Sequence, residues 1–114
     1  MALKKTITSR AGFELSYWKI VSWLIDLPRR MVDITLIPFV SSETREEGLE
    51  PVNEERRQIK VYDRINNTHP EKSTYNYSEN FSPEALEKTG VDIYKLMYQY
   101  IKDHVAEFSD AQDI

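Results

Sequence analysis

Two histidines, His69 and His104, are the first side chains to weigh for acid–base or metal chemistry, because imidazole titrates near neutrality and ligates metals readily. His69 lies in a polar stretch, and His104 sits beside Asp103 on or near an apolar stripe at helical spacing. No Ser-His-acid or Cys-His arrangement follows from their spacing, and a lone helical histidine is more often a packed or surface residue than a ligand. The chain has no cysteine, which excludes disulfides and thiolate metal sites. Its three glycines are isolated, so there is no glycine-rich loop to cradle a phosphate. Glu43, Glu46, Glu47, Glu50, Glu54 and Glu55 concentrate carboxylates, but not at the alternating positions of a calcium loop, and a solvated acidic loop is the simpler reading. The sequence therefore nominates no catalytic, cofactor-binding or metal-ligating residue, and the expectation is a protein that is not an enzyme.

Aromatic residues are the more informative set. Tyr17, Trp18, Trp23, Tyr62, Tyr75, Tyr77, Tyr94, Tyr98 and Tyr100 exceed what one small core requires. Tyrosine and tryptophan bury large areas at low entropic cost, which suits both cores and interfaces. Carbohydrate stacking would use the same residue types. Tyr17, Trp18, Trp23, Tyr75, Tyr77, Phe81 and Phe108 are the candidate interface residues.

The elements that must position them centre on Phe13 to Val40, which reads as two long strands joined by a turn at Leu27-Pro28-Arg29-Arg30. In the first arm Leu15, Tyr17, Val21, Trp23 and Ile25 fall on one face of an extended chain, and Trp18, Ile20 and Leu24 on the other. A strand apolar on both faces is central in a sandwich or lies under a partner molecule. A helix is the rival reading for Tyr17 to Leu27. In the second arm Val32, Ile34 and Leu36 alternate with Asp33 and Thr35, and Pro38 signals an edge position or a bulge.

Leu3 to Thr8 reads as a short strand with imperfect alternation. Residues 41–55 are a polar, mainly acidic loop, with one helical turn expected at Thr44 to Gly48. Arg56 to Ile65 returns as a strand, with Ile59 and Val61 on one face. Residues 66–81 form a second long loop. Ser82-Pro83 opens a short helix to about Lys88. Thr89 or Gly90 is expected to cap a longer helix whose stripe is Ile93, Leu96, Met97, Tyr100, Ile101, His104 and Val105. Residues 82–107 are thus helical and 108–114 a tail. The predicted fold class is α+β: a small antiparallel sheet or sandwich built on a long hairpin, with a C-terminal helix packed on it.

At 114 residues the chain fits one domain, and its net charge of −4 with interspersed signs argues against a nucleic-acid surface. The most apolar window, Trp18 to Leu27, is interrupted by Lys19, Ser22 and Asp26 and is too short to span a bilayer, so no membrane partner is expected. MALKKTITSR has no apolar run behind its positive start, and synthesis in a cytoplasm is expected.

The opening MALKKTIT followed by a glycine and a Tyr-Trp strand, the segment TREEGLEPV, and the end YQYIKDHVAEFSDAQDI together resemble small tail-region structural proteins of tailed bacteriophages and prophages. The likeness covers about half of the chain, in pieces, and residues 66–81 are longer than in that group. It implies a virion part without a cofactor, made in the bacterial host cytoplasm, contacting other virion structural proteins of the tail or baseplate region and forming a homo-oligomer. The terminal arms, Met1 to Arg10 and Phe108 to Ile114, are candidates for clasping adjacent subunits. A different class of function is a binding module that recognises a host-surface glycan or protein through the 66–81 loop.

Overall fold

The computed structural model describes residues 2–10, 12, 14–39 and 52–114. Its strands are β1 Leu3–Thr8, β2 Glu14–Asp26, β3 Met31–Phe39, β4 Arg57–Arg64, β5 Thr74–Tyr75 and β6 Gln112–Asp113. They form one curled antiparallel sheet in the order β5-β4-β3-β2-β1-β6. Three helices follow β5: α1 Asn76–Asn80, α2 Pro83–Thr89 and α3 Ile93–His104. The fold is α+β, with the C-terminal helical region packed on a sheet built around the long β2–β3 hairpin. The helical turn expected at Thr44 to Gly48 lies outside the described residues, as do Glu43, Glu46, Glu47 and Glu50.

The hairpin turn falls where Pro28 places it. Arg30 N–H donates to Leu27 O at 3.2 Å, and Asp26 Oδ1 accepts the Arg29 N–H at 3.1 Å. Arg30 adopts a left-handed φ of 53°, an unfavourable region for a residue with a Cβ. Its side chain offsets that cost by reaching α1, donating to Ser78 Oγ at 2.6 Å and lying over the Tyr77 ring.

Strand β2 does not keep one phase. Ile20 pairs with Leu36 and Ser22 with Thr35, so Val21 is an extra residue with no partner in the ladder to β3. One extra residue reverses the alternation of all that follows. Trp18 and Ile20 are buried in the core, and beyond the bulge Trp23 and Ile25 lie on that same face of the sheet, opposite Ile34 and Val32, with Trp23 still partly open to solvent. The expected split into two apolar faces, with Trp18 and Ile20 opposed to Trp23 and Ile25, is therefore corrected. Pro38 lies past the last rung to β4, which ends at Leu36, and its carbonyl accepts the Val52 N–H at 3.0 Å. The missing N–H thus falls where β4 has already left β3.

The starts of α2 and α3 have side-chain caps. Ser82 accepts the Ala85 N–H at 3.2 Å, and Asp92, rather than Thr89 or Gly90, caps α3 by accepting from Tyr94 N at 2.9 Å. Gly90 instead ends α2 with a φ of 61°. Met97, Tyr98, Tyr100 and Ile101 of α3 are buried against the sheet, while His104 remains exposed and stacks on the Tyr100 ring.

The 66–81 segment is ordered on itself. Asn66 Oδ1 accepts from the backbone of Thr68 and His69, a one-turn helix runs Pro70–Lys72, and β5 leads into α1. Tyr77 and Phe81, four residues apart, enter the core at 1% and 0% exposure. The ends of the chain fold on each other as well. Ala2 and Ile114 exchange two backbone hydrogen bonds of 3.0 Å, and Lys5 bridges to Asp110 at 2.6 Å. Residues 2–10 and 108–114 are thus joined to one another within the single chain.

Candidate functional site

The side chains with chemistry to offer do not converge. His69 is exposed and lies 3.5 Å from Glu71, while His104 faces the Tyr100 carbonyl at 3.3 Å. Among the described residues no three His, Asp or Glu side chains gather where they could hold a metal ion.

Two charged clusters are built into the fold, and both fasten elements together. Arg57 donates to Glu107 Oε1 at 2.8 Å and to the Glu55 carbonyl at 2.7 Å, and its guanidinium lies over the Trp18 ring. The hydrogen bond to Glu107 raises the Arg57 pKa despite partial burial. Asp63 accepts from both the backbone N–H and the hydroxyl of Ser78, and Arg30 stands 3.7 Å away. Burial alone would push the Asp63 carboxyl up, but the Ser78 hydrogen bonds and the Arg30 charge together hold it below its ordinary value of 3.8.

A carboxyl depressed in the folded state contributes stability that is complete above the unfolded value and lost as pH falls through the lower folded one. Asp63→Asn is therefore expected to destabilise the protein at neutral pH and to flatten the acid limb of its stability curve below about pH 4. Urea midpoints measured from pH 7 down to pH 2 check this, and a variant with the wild-type acid limb would contradict it.

The candidate interface residues divide sharply. Trp18, Tyr77, Phe81 and Phe108 are fully enclosed by their own chain, so their assignment to an interface is corrected to core. Trp18 donates its indole N–H to the Lys5 carbonyl at 2.9 Å and meets the Phe108 ring edge-on at 5.1 Å. Tyr17 is half-buried in an edge-on contact with Phe39. Tyr75 is exposed at the sheet margin. Trp23 packs one side on Tyr94 at 5.6 Å and leaves 42% of its surface open.

Around Trp23 lies the surface that the spacing of residues did not single out. Val21, Leu24 and Leu27 are 46%, 63% and 56% exposed. This half of β2 also has an open edge. The rungs to β1 end at Trp18 with Leu3, and no described strand continues along β2 beyond it. At Ile20 two tyrosines of α3 occupy the place of the missing strand. Tyr98 accepts the Ile20 N–H at 2.8 Å, Tyr94 donates to the Ile20 carbonyl at 3.2 Å, and the two hydroxyls lie 3.1 Å apart. Burial, reinforced by the contact with Tyr94, pushes the Tyr98 hydroxyl pKa up, so that group stays neutral and can both donate and accept. From Val21 to Asp26 no such cover is present among the described residues.

No protein-family model, curated protein or solved structure matches this chain. The open half of the hairpin is the candidate site. It presents large apolar side chains beside strand backbone that no described residue pairs, next to a turn fastened by Arg30 and Asp26. The signal in the sequence is the run VSWLIDL itself, part of a strand apolar on both faces and hence central in a sandwich or lying under a partner molecule.

Proposed function

We propose that this protein is a non-enzymatic structural protein that acts through subunit contacts, forming a homo-oligomer and meeting other structural proteins of a phage virion in its tail or baseplate region. The observation that carries the assembly reading is the concentration of Val21, Trp23, Leu24 and Leu27 beside an open strand edge. Exposed apolar side chains next to unpaired backbone form a template for another chain, and proteins that work alone blunt such edges. The virion setting is supported by the likeness of MALKKTIT, TREEGLEPV and the closing YQYIKDHVAEFSDAQDI to phage tail-region proteins. Recognition through the 66–81 loop has less support, since Tyr77 and Phe81 are spent on the core and only Tyr75 remains exposed.

Light scattering on the purified chain across a wide concentration range tests the assembly reading. A discrete oligomer is expected, and Leu24→Glu is expected to reduce it to monomer with an unchanged melting temperature, because Leu24 is mostly solvent-exposed in the single chain. A wild-type protein that stays monomeric at every concentration would overturn self-assembly. For the virion setting, mass spectrometry of particles purified from a host that encodes the chain should find it in stoichiometric amount.

A further inference from the structure

We propose that the open half of β2 pairs antiparallel with the same segment of a second copy, about a two-fold axis at Leu24; this rests on the assembly reading above. The argument is the pattern of the edge. Val21-Ser22-Trp23-Leu24-Ile25-Asp26-Leu27 is palindromic in polarity about Leu24: apolar residues at both ends, a polar residue next, three apolar residues in the middle. Two antiparallel copies centred on Leu24 place Leu24 opposite Leu24, Trp23 opposite Ile25 and Val21 opposite Leu27. Ser22 then stands opposite Asp26, a hydroxyl donor facing a carboxylate acceptor. Every side chain meets one of its own kind, which is what a two-fold interface built from a single patch requires.

The tyrosine cover selects this register over its neighbour. A two-fold axis at Trp23 would lay Asp26 against Ile20 of the second copy, where the backbone already bonds Tyr98 and Tyr94. It would also set Leu24 opposite Ser22. An axis at Leu24 ends the ladder at Val21, one residue short of the tyrosines. The edge from Val21 to Asp26 carries no lysine and no proline, the residues that commonly blunt exposed strands. The turn beyond it is already fixed by Asp26 on Arg29 and by Arg30 on Ser78, so docking orders little that is loose. The result is a sheet running through both copies, with the two β2 strands at its centre.

Because the chain has no cysteine, a single Leu24→Cys substitution makes the axis directly testable. Residues facing each other across a two-fold lie within disulfide reach. Under mild oxidation Leu24→Cys is expected to become a covalent dimer, while Lys88→Cys, on exposed α2, remains monomeric on a denaturing gel. Mixing Val21→Cys with Leu27→Cys is expected to give a heterodimer that predominates over the disulfide dimers of either variant alone. If wild type and Leu24→Cys are both oligomeric by light scattering yet neither cross-link forms, the pairing is overturned and the assembly reading stands. If the wild type is monomeric throughout, both fall.

Discussion

Trp18→Ala is expected to cost about 3–5 kcal/mol of stability, the range for deleting a large aromatic side chain from a packed core. Trp18 is fully enclosed, and its removal empties the space between Phe108, the Arg57 guanidinium and the β1–β2 ladder. It also leaves the Lys5 carbonyl without its indole donor. A domain of this size is typically stable by about 5–15 kcal/mol, so the variant would lose much or all of its folded population. Trp23→Ala is the contrast. With nearly half of its surface already in water, it should cost about 1 kcal/mol in the monomer. Urea denaturation of the two variants at a concentration that keeps them monomeric separates these outcomes. Equal losses would mean that the two tryptophans are not divided between core and surface in this way.

The second large effect belongs to the tyrosine pair. Tyr98→Phe keeps the ring but removes the acceptor of the buried Ile20 N–H, and a buried donor left unpaired costs about 1–3 kcal/mol. Tyr94→Phe removes a 3.2 Å donor to a carbonyl and the 3.1 Å contact with the Tyr98 hydroxyl, and it should cost less, since under-satisfied carbonyls are better tolerated than orphaned N–H groups. The double variant should cost less than the sum of the two, because both hydroxyls serve the same residue. Chemical denaturation of the three variants gives the cycle. An additive result would show that the hydroxyls act independently. Amide exchange at Ile20 provides a separate reading, with protection lost in Tyr98→Phe and largely kept in Tyr94→Phe.

Much of the architecture could be read from the residues, for identifiable reasons. The β-branched second arm, Pro28 at the turn and Ser82-Pro83 at a helix start each act through local backbone chemistry, and each appears where expected. The bulge did leave a trace, since Ser22 and Asp26 would share the core face with Trp18 and Ile20 unless the strand slipped at Val21, but large apolar residues in both phases of β2 obscured it. That single slip brings Trp23 and Ile25 onto the face of Trp18 and Ile20 and turns Leu24 outward. Tyr77 and Phe81 did carry a signal, a spacing of four, but in a segment too short and polar for the period to stand out. β6 was beyond reach, since a two-residue strand of Gln112 and Asp113 has no pattern and exists only because β1 offers it an edge. The site itself lay in plain view as VSWLIDL, yet its exposure depends on where β1 stops, which is a property of the register rather than of the segment.

The pairing of β6 with β1 bears on how the molecule comes to be. β2, β3 and β1 are neighbours in sequence and can zip together early, but the outer side of β1 waits for residues at the far end of the sequence. Ladders closed over such separations belong to the slow folders, on the order of milliseconds to seconds. During translation a chain extended through α3 would carry bare margins among the described residues along β1 and along the distal half of β2. Emergence of Gln112 and Asp113 covers the first at Leu3 and Lys4 and leaves the second. Self-association before that moment could engage the β1 margin, so the late arrival of β6 would steer assembly toward the β2 edge.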